Sequence, residues 1–457
     1  MTKPLVVCVG VVALVCVAGA RVPGSAVAMQ RPSDPALAEQ VKKELLHAWN
    51  GYKKYAWGHD DLLPVSKTSR DWYGTEPLLM TAVDTVSTLA IMGLDDEVKT
   101  TTDYIAKNLS FDKDIEVSNF EITIRILGGL LSAHQTTGDA RLLAQADDLA
   151  IRLLPAFKSK TGMPYRFVNL RTGKISGPVS NPAEIGTLIL EWGTLAKLTK
   201  KPVYFDTAKR ALVALYNHRD PKTGLVGQGI NVETGEWTNK AAHIGGAIDS
   251  YYEYLLKCER LFDDRECGDM YRASIGPVHT HLADEVSGSL WYGRADMTTG
   301  QRTGTTFGSL HAFFPGELAM GGDLDRARRL QESAFRMWTL HGIEPEALDY
   351  KTMTVTRAGY QLRPEIIESA YILSHYTKDP KYLEMGRTMF RDLVAHCRTD
   401  AGYTVLESVV TKKQGDLQHS FLLAETLKYL YLLFAPDALA FENVTFNTEA
   451  HPLRKTW

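Results

Sequence analysis

The sequence predicts an all-α fold of about seven repeated helix pairs with small β-hairpins between them, and three observations lead there. Apolar residues recur at helical spacing, as in Ile122, Ile126, Leu127, Leu130 and Leu131. A turn signature returns at intervals of roughly 60 residues. Lys160-Thr-Gly-Met163 is matched by Lys222-Thr-Gly-Leu225, and Thr-Gly recurs at 172/173, 234/235 and 299/300. A second turn, inside each pair, recurs as Thr137-Gly-Asp-Ala-Arg-Leu142, Thr199-Lys-Lys-Pro-Val-Tyr204 and Thr377-Lys-Asp-Pro-Lys-Tyr382.

Each unit therefore reads as helix, short turn, helix and a longer excursion. The excursions at 165–169, 229–232, 290–292, 352–356 and 403–410 carry β-branched and aromatic residues around Thr-Gly turns, the composition of small hairpins. Helix-pair repeats either stack into an open solenoid or close into a toroid, and periodicity does not choose between them. Closure would place the hairpins on one rim and leave a central cavity reached by side chains from many units.

At the start of the chain, Met1 to Lys3 is cationic, residues 4–20 are almost entirely apolar, and small-residue sites follow at Ala18-Gly-Ala20 and Ala26-Val-Ala28. This reads as a signal peptide over 1–28, leaving 29–457 as a single domain. The apolar run is shorter than the ~20 residues a bilayer helix needs, and no later segment is long and apolar enough. The expected product is exported, free of the membrane after cleavage, and secreted or periplasmic, or lumenal in a eukaryotic secretory pathway. Cys8 and Cys16 leave with the signal; Cys258 and Cys267 are close enough to pair across a helix turnaround, against the alternative that they and Cys397 are three buried thiols.

With 44% hydrophobic and 23% charged residues in 457, the composition is globular and excludes disorder. A formal net charge of −3 without a Lys/Arg block argues against nucleic acid as a partner. A monomer is expected. Asn108-Leu-Ser110 and Asn443-Val-Thr445 are glycosylation sequons in a host that modifies them.

Acids interrupt the apolar helices. Glu121 opens one, with Arg125 a turn later; Glu184 and Glu191 are seven apart and would share a helical face; Asp249 and Glu253 are one turn apart. Glu365 and Glu368 follow Arg363-Pro364, and Glu425 interrupts FLLAETLKYLYLLF. Any one such acid reads most simply as half of a surface salt bridge. Five such places in one chain point instead to a shared cavity. Glycoside hydrolysis needs two carboxyls, one protonated and one ionised. Crowding and burial raise some carboxyl pKa values, and the remaining charge suits a hard cation. P-loop, dinucleotide, HExxH, Cys/His zinc and serine-hydrolase patterns are absent.

With these residues laid out, the chain resembles the class I α-1,2-mannosidases, glycoside hydrolase family 47. The matching blocks are AWNGYKKYAWGHDDLLPVS, AVDTVSTLAIMGL, NFEITIRILGGLLSAH, AIDSYYEYLLK, FFPGELAMGG, LRPEIIESAYIL, SFLLAETLKYLYLLF and FNTEAHPL, in order from 48 to 453. The resemblance implies an (α/α)7 barrel and an exo-acting, inverting, Ca²⁺-dependent hydrolase of α-1,2-mannose-terminated oligosaccharides. By motif position, Glu121 is implied as general acid acting through a water, Glu365 as general base and Asp249 as third catalytic carboxylate. Thr448 is implied as the calcium ligand through its hydroxyl and carbonyl. Glu184, Glu191, Glu253, Glu368, Glu425 and Glu449 match acids that hold calcium waters or sugar hydroxyls, and Arg125, Arg363 and Phe421 match residues around the innermost mannose. A non-catalytic, lectin-like homologue that binds mannose glycans is the alternative.

Three departures stand out. Ser309-Leu-His-Ala-Phe313 replaces the family's frequent His-Leu-x-Cys-Phe, which removes a cysteine of its usual disulfide. Ala247 stands where many members have Arg or Leu, and His419 where an acid is frequent.

Overall fold

A hairpin turn needs its first N–H groups satisfied and one residue at positive φ, and the repeats meet both needs with the same residue types. Asn169 Oδ1 accepts from the N–H of Arg171 and Thr172, and Asn231 from Glu233 and Thr234. Asp296 accepts from Thr298 and Thr299, and Asp349 from Lys351 and Thr352. The left-handed residue that follows is Gly173, Gly235 and Gly300, and in the fourth turn Met353.

The computed structural model describes residues 1–5, 10 and 31–457, so both expected signal cleavage sites lie outside the described residues. Met1–Gln30 and Arg31–Trp457 are separate units, and the second holds every element named below. No described helix is long and apolar enough to cross a membrane.

Among the described residues the principal helices form seven pairs. The inner members are Met80–Ile91; Asn119–Ile122 running through Thr123–Leu127 into Gly128–Thr137; Pro182–Gly186 with Ile189–Thr199; Asp249–Phe262; Phe314–Met320; Glu365–Thr377; and Leu422–Thr426 with Leu427–Phe434. The outer members are Asp95–Asn108, Ala140–Leu153, Pro202–Asn217, Arg265–Leu282, Leu324–Thr339 and Lys381–Cys397, with Pro35–Tyr55 packed on the last inner helix. Inner helices are buried on every side, as in Met80 to Leu89. Outer ones bury one stripe, as in Leu142, Ala146, Leu149, Ala150 and Leu153. That contrast is what an inner wall and a half-solvated outer ring require. The ring closes where Leu422–Thr426 packs on Met80–Ile91, so the choice left open by periodicity is settled as a closed (α/α)7 barrel.

The hairpins fasten each unit at its inner helix. The strands Glu116–Ser118, Val179–Ser180, Ala241–Ala242 and Thr306–Gly308 each precede an inner helix, and each pairs antiparallel with a hairpin that follows the outer helix of the same unit. One excursion differs from expectation. Leu290 to Tyr292 pairs with Ala283–Val286 as an additional hairpin, and the repeating position is taken by Arg294–Asp296 with Arg302–Gly304. Both stretches suit strands, so composition did not separate them.

Two inner helices contain π turns, Thr123–Leu127 and Leu422–Thr426. A π turn displaces the helical hydrogen-bond ladder, and the carbonyls it frees need other donors. Asn447 Nδ2 donates to the Ile124 carbonyl at 2.8 Å, and the Thr88 hydroxyl to that of Leu423 at 2.8 Å. Asn447 belongs to a last hairpin, Thr445–Phe446 with Pro452–Leu453, whose connecting residues Asn447, Glu449, Ala450 and His451 are buried. Inner helices tie it in place. Asn447 also donates to Glu191, Tyr254 accepts from the Thr448 N–H, Lys428 donates to the Ala450 carbonyl, and His451 meets Asp84 at 3.2 Å. A buried disulfide joins Cys258 and Cys267 across the turn between two paired helices, and Cys397 is a buried thiol.

Candidate active site

A helix N-terminus offers unpaired N–H groups and the positive end of the helix dipole, so a first-turn acid is favoured there. Inner helices use this position repeatedly, with Glu121, Glu184, Asp249, Glu317 and Glu365. Ser118 Oγ accepts from the Glu121 N–H at 3.3 Å and Asn181 Oδ1 from that of Glu184 at 3.0 Å, which fixes both helix starts. Below the hairpins lies a cavity of about 490 Å³. Its lining brings together Glu121, Arg125, Glu184, Asp249, Glu253, Arg363, Glu365, Glu368, Glu425, Thr448 and Glu449.

Glu191 and Phe421 do not line it. Glu184 and Glu191 were expected on one helical face, but the helix breaks between Gly186 and Ile189. Glu184 stays at the cavity, gripped by Arg166 at 2.7 and 2.8 Å. Glu191 lies behind it, accepting from Tyr254 at 2.6 Å and Asn447 at 2.8 Å. Phe421 backs the cavity, its ring centre 5.7 Å from the guanidinium carbons of both Arg125 and Arg363.

The two arginines are held differently. Arg125 Nε donates to Glu121 Oε2 at 2.9 Å, Nη1 donates to Glu449, and Trp72 lies 5.2 Å from its guanidinium. Arg363 donates from Nε and Nη2 to the two oxygens of Glu346, both at 3.0 Å. Burial works against both charges, yet the surrounding carboxylates outweigh it and hold each arginine more firmly protonated than usual.

The acids divide by environment. Glu121 keeps 31% of its side chain exposed, whereas Glu365 is buried with one carboxylate oxygen unpartnered. Burial pushes Glu365 up to about 7, against the pull of Arg363, and Asp249 up to about 6 despite hydrogen bonds from Ser250. Burial also pushes Glu191 up to about 8, and it raises Glu368, Glu425 and Glu449, with neighbouring carboxylates adding to the effect. Glu253 is paired with Lys257.

Backbone strain borders these groups. Ala247 (φ 78°), Leu362 (φ 64°) and Ala450 (φ 56°) are left-handed non-glycines within three residues of Asp249, Glu365 and Glu449. Such positions cost about 1–3 kcal/mol each and gather at functional sites. His419, where an acid was the common residue, stacks on Phe421 at 4.7 Å and reaches Gln361 at 3.1 Å. Burial and the adjacent arginines lower its pKa to about 3, so it is a neutral backing for the ring.

Several contributors were missed from sequence. Asp84, fully buried, meets His451 at 3.2 Å and Arg125 at 3.8 Å; it is the only charged residue in its helix, a signal that was available. Glu346, Tyr254 and Asn447 act through tertiary contacts that no local pattern marks. Glu317 and Glu344 are buried with both carboxylate oxygens unpartnered, and burial raises each well above the usual range.

Among the described residues no cysteine or histidine lines the cavity, so its donors are carboxylate, hydroxyl and carbonyl oxygens. Glu191 and Glu365 each keep one buried oxygen without a partner. Such a donor set fits a hard cation such as Ca²⁺ and not a thiophilic metal.

Comparison with known proteins gives a consistent answer. The sequence pattern of glycosyl hydrolase family 47 matches residues 44–455. The chain is 36% identical to alpha-mannosidase I MNS5 of Arabidopsis thaliana over 92% of this chain and 77% of the relative. It is 37% identical to ER degradation-enhancing alpha-mannosidase-like protein 2 of Mus musculus, over 92% and 78% of the two chains. The solved alpha-1,2-mannosidase from Trichoderma reesei superposes with a TM-score of 0.84 at 28% identity, covering 93% of this chain and 99% of that one.

Proposed function

The chain belongs to glycosyl hydrolase family 47, and from that premise we propose that it is an exo-acting, inverting, Ca²⁺-dependent α-1,2-mannosidase that removes terminal mannose from mannose-rich glycans. One observation carries this reading: Glu121 and Glu365, on different inner helices, line a single cavity together with Asp249, the buried Arg125 and the half-buried Arg363.

Glu121, the more exposed acid, donates its proton through a water to the glycosidic oxygen as the C1–O bond breaks. Glu365 takes a proton from the water that attacks C1 from the opposite face. A base pKa raised toward neutrality gives a stronger proton acceptor than an ordinary carboxylate. Asp249 is the third carboxylate and helps place that water. Arg125 and Arg363, anchored by Glu449 and Glu346, hold sugar hydroxyls above Phe421. Thr448 would hold Ca²⁺ through its hydroxyl and carbonyl, with Glu184, Glu191, Glu253, Glu368, Glu425 and Glu449 receiving the ion's waters or the sugar. Bound there, the ion would coordinate mannose hydroxyl oxygens and hold them in place.

The same reading takes 1–28 as a cleaved signal and places a monomeric domain, 29–457, in a secretory lumen or outside the cell. Incubation with α-1,2-mannobiose should release mannose, and exhaustive EGTA should stop the release. Binding without release would instead support a lectin-like quality-control role, which the likeness to the degradation-enhancing relative keeps in view.

A further inference from the structure

We propose that Asn108 carries an N-linked oligosaccharide whose first N-acetylglucosamine lies in a groove beside Trp57 and Tyr104. Asn108 ends the Asp95–Asn108 helix, and both it and Ser110 of the sequon are exposed. The asparagine lines a groove of about 530 Å³ on the outer wall, with Trp57, Thr100, Asp103, Tyr104 and Lys107. This groove shares no lining residue with the acidic cavity. The Trp57 and Tyr104 rings lie 4.6 Å apart at 46° and form an aromatic shelf. A pyranose presents an apolar C–H face and a polar edge, which suit an aromatic shelf bordered by Thr, Asp and Lys.

The asparagine is already oriented. Its Nδ2 donates to the Tyr104 carbonyl at 2.8 Å. An amide joined to a sugar keeps one N–H, so this bond survives modification and holds the linkage over the groove. The other sequon lacks the shelf. Asn443 lies in a depression lined by Arg260, Glu442, Val444, Thr445 and Leu453 among others, with no aromatic ring. The chemistry is transfer from a lipid-diphosphate-linked oligosaccharide by the host's transferase. A bond forms between C1 of the reducing sugar and Asn108 Nδ2, the C1–O bond to the diphosphate breaks, the diphosphate leaves with the electron pair, and the amide loses one proton.

The proposal rests on the lumenal placement above, and the test separates the two. The full chain is produced in a eukaryotic secretory host, and the 108-containing peptide is analysed by mass spectrometry with and without peptide N-glycosidase. Asn108 should be occupied, and Asn108→Gln should lose that mass. Under native conditions, enzymatic release from Asn108 should be slower than from the denatured chain by on the order of tenfold. Tyr104→Ala, or Thr100→Arg, which crowds the groove from an exposed position without touching the core, should remove most of that protection. An exported chain with Asn108 unmodified overturns the proposal, and so does equal native release from the wild type and both variants. A chain that is not exported at all counts against the lumenal reading; the same chain behind a heterologous cleavable leader then decides occupancy at Asn108 by the same criteria.

Discussion

A carboxyl that is ionised in the unfolded chain and neutral in the fold makes stability depend on pH, and Glu317 is such a group. Burial, with Glu253 nearby, raises it well above its ordinary value, and neither oxygen has a partner. Its contribution is complete below the unfolded pKa of about 4.5 and is lost as pH rises toward the folded value. Glu317→Gln should flatten the fall of Tm between about pH 5 and 8 by up to one proton's worth and raise Tm most at the alkaline end. An unchanged slope would mean that Glu317 is ionised in the fold. The acids assigned to the proposed reaction behave differently. Glu121→Gln and Glu365→Gln should each lower kcat by about 10²- to 10⁴-fold with little change in Tm; a variant that kept near-full turnover would shift its role to Asp249. Because Glu365, as the proposed base, must be ionised to accept a proton and burial raises its pKa, the acid limb of kcat/KM should lie above the ordinary carboxylate range. Glu365→Asp, if active, should move that limb, whereas Glu317→Gln should not.

At the scale of elements, the π turns depend on borrowed donors. Thr88→Val keeps the shape but leaves the Leu423 carbonyl unpaired in the core, an expected loss of about 1–3 kcal/mol measured by denaturant midpoint. Thr85→Val is the control, because its hydroxyl only adds to the Thr81 carbonyl of an ordinary turn in the same helix, and it should cost less. The same elements show what could be read in advance. The Thr-Gly turns announced the repeat because turn chemistry is local, and the rhythm faded where Met353, Lys67 and Lys412 take the left-handed place of glycine. Glu121 with Arg125 was legible because a four-residue spacing survives even a π turn. Glu184 and Glu191 were misjudged because the helix breaks at Thr187 and Leu188, where the Thr187 hydroxyl donates to Ser250 of another inner helix, a contact no local pattern marks. Nothing in TIRIL or LLAET marks a π turn, since the donors that stabilise one come from Asn447 and Thr88, far away in sequence.

For the whole molecule, the proposed inversion requires the two carboxyls to stand apart across the barrel's cavity. Glu121 and Glu365 come from separate inner helices of one ring and share its cavity, so an attacking water can stand on the face opposite the leaving oxygen. The first product observed by NMR should be β-mannose, before mutarotation; an initial α-anomer would refute inversion. Removal of Ca²⁺ by EGTA should abolish turnover while the helical far-ultraviolet signal persists, because the ring is closed by apolar packing that needs no ion. The hairpin at 445–453 has a consequence of another kind. It carries Thr448 and Glu449 and is tied to inner helices drawn from across the sequence, yet a ribosome makes it after all of them. Every nascent chain that stops short of it, however well its helices have paired, has an unfinished cavity. Under the proposed function, synthesis is its own safeguard: a chain that ends before this hairpin should trim no glycan.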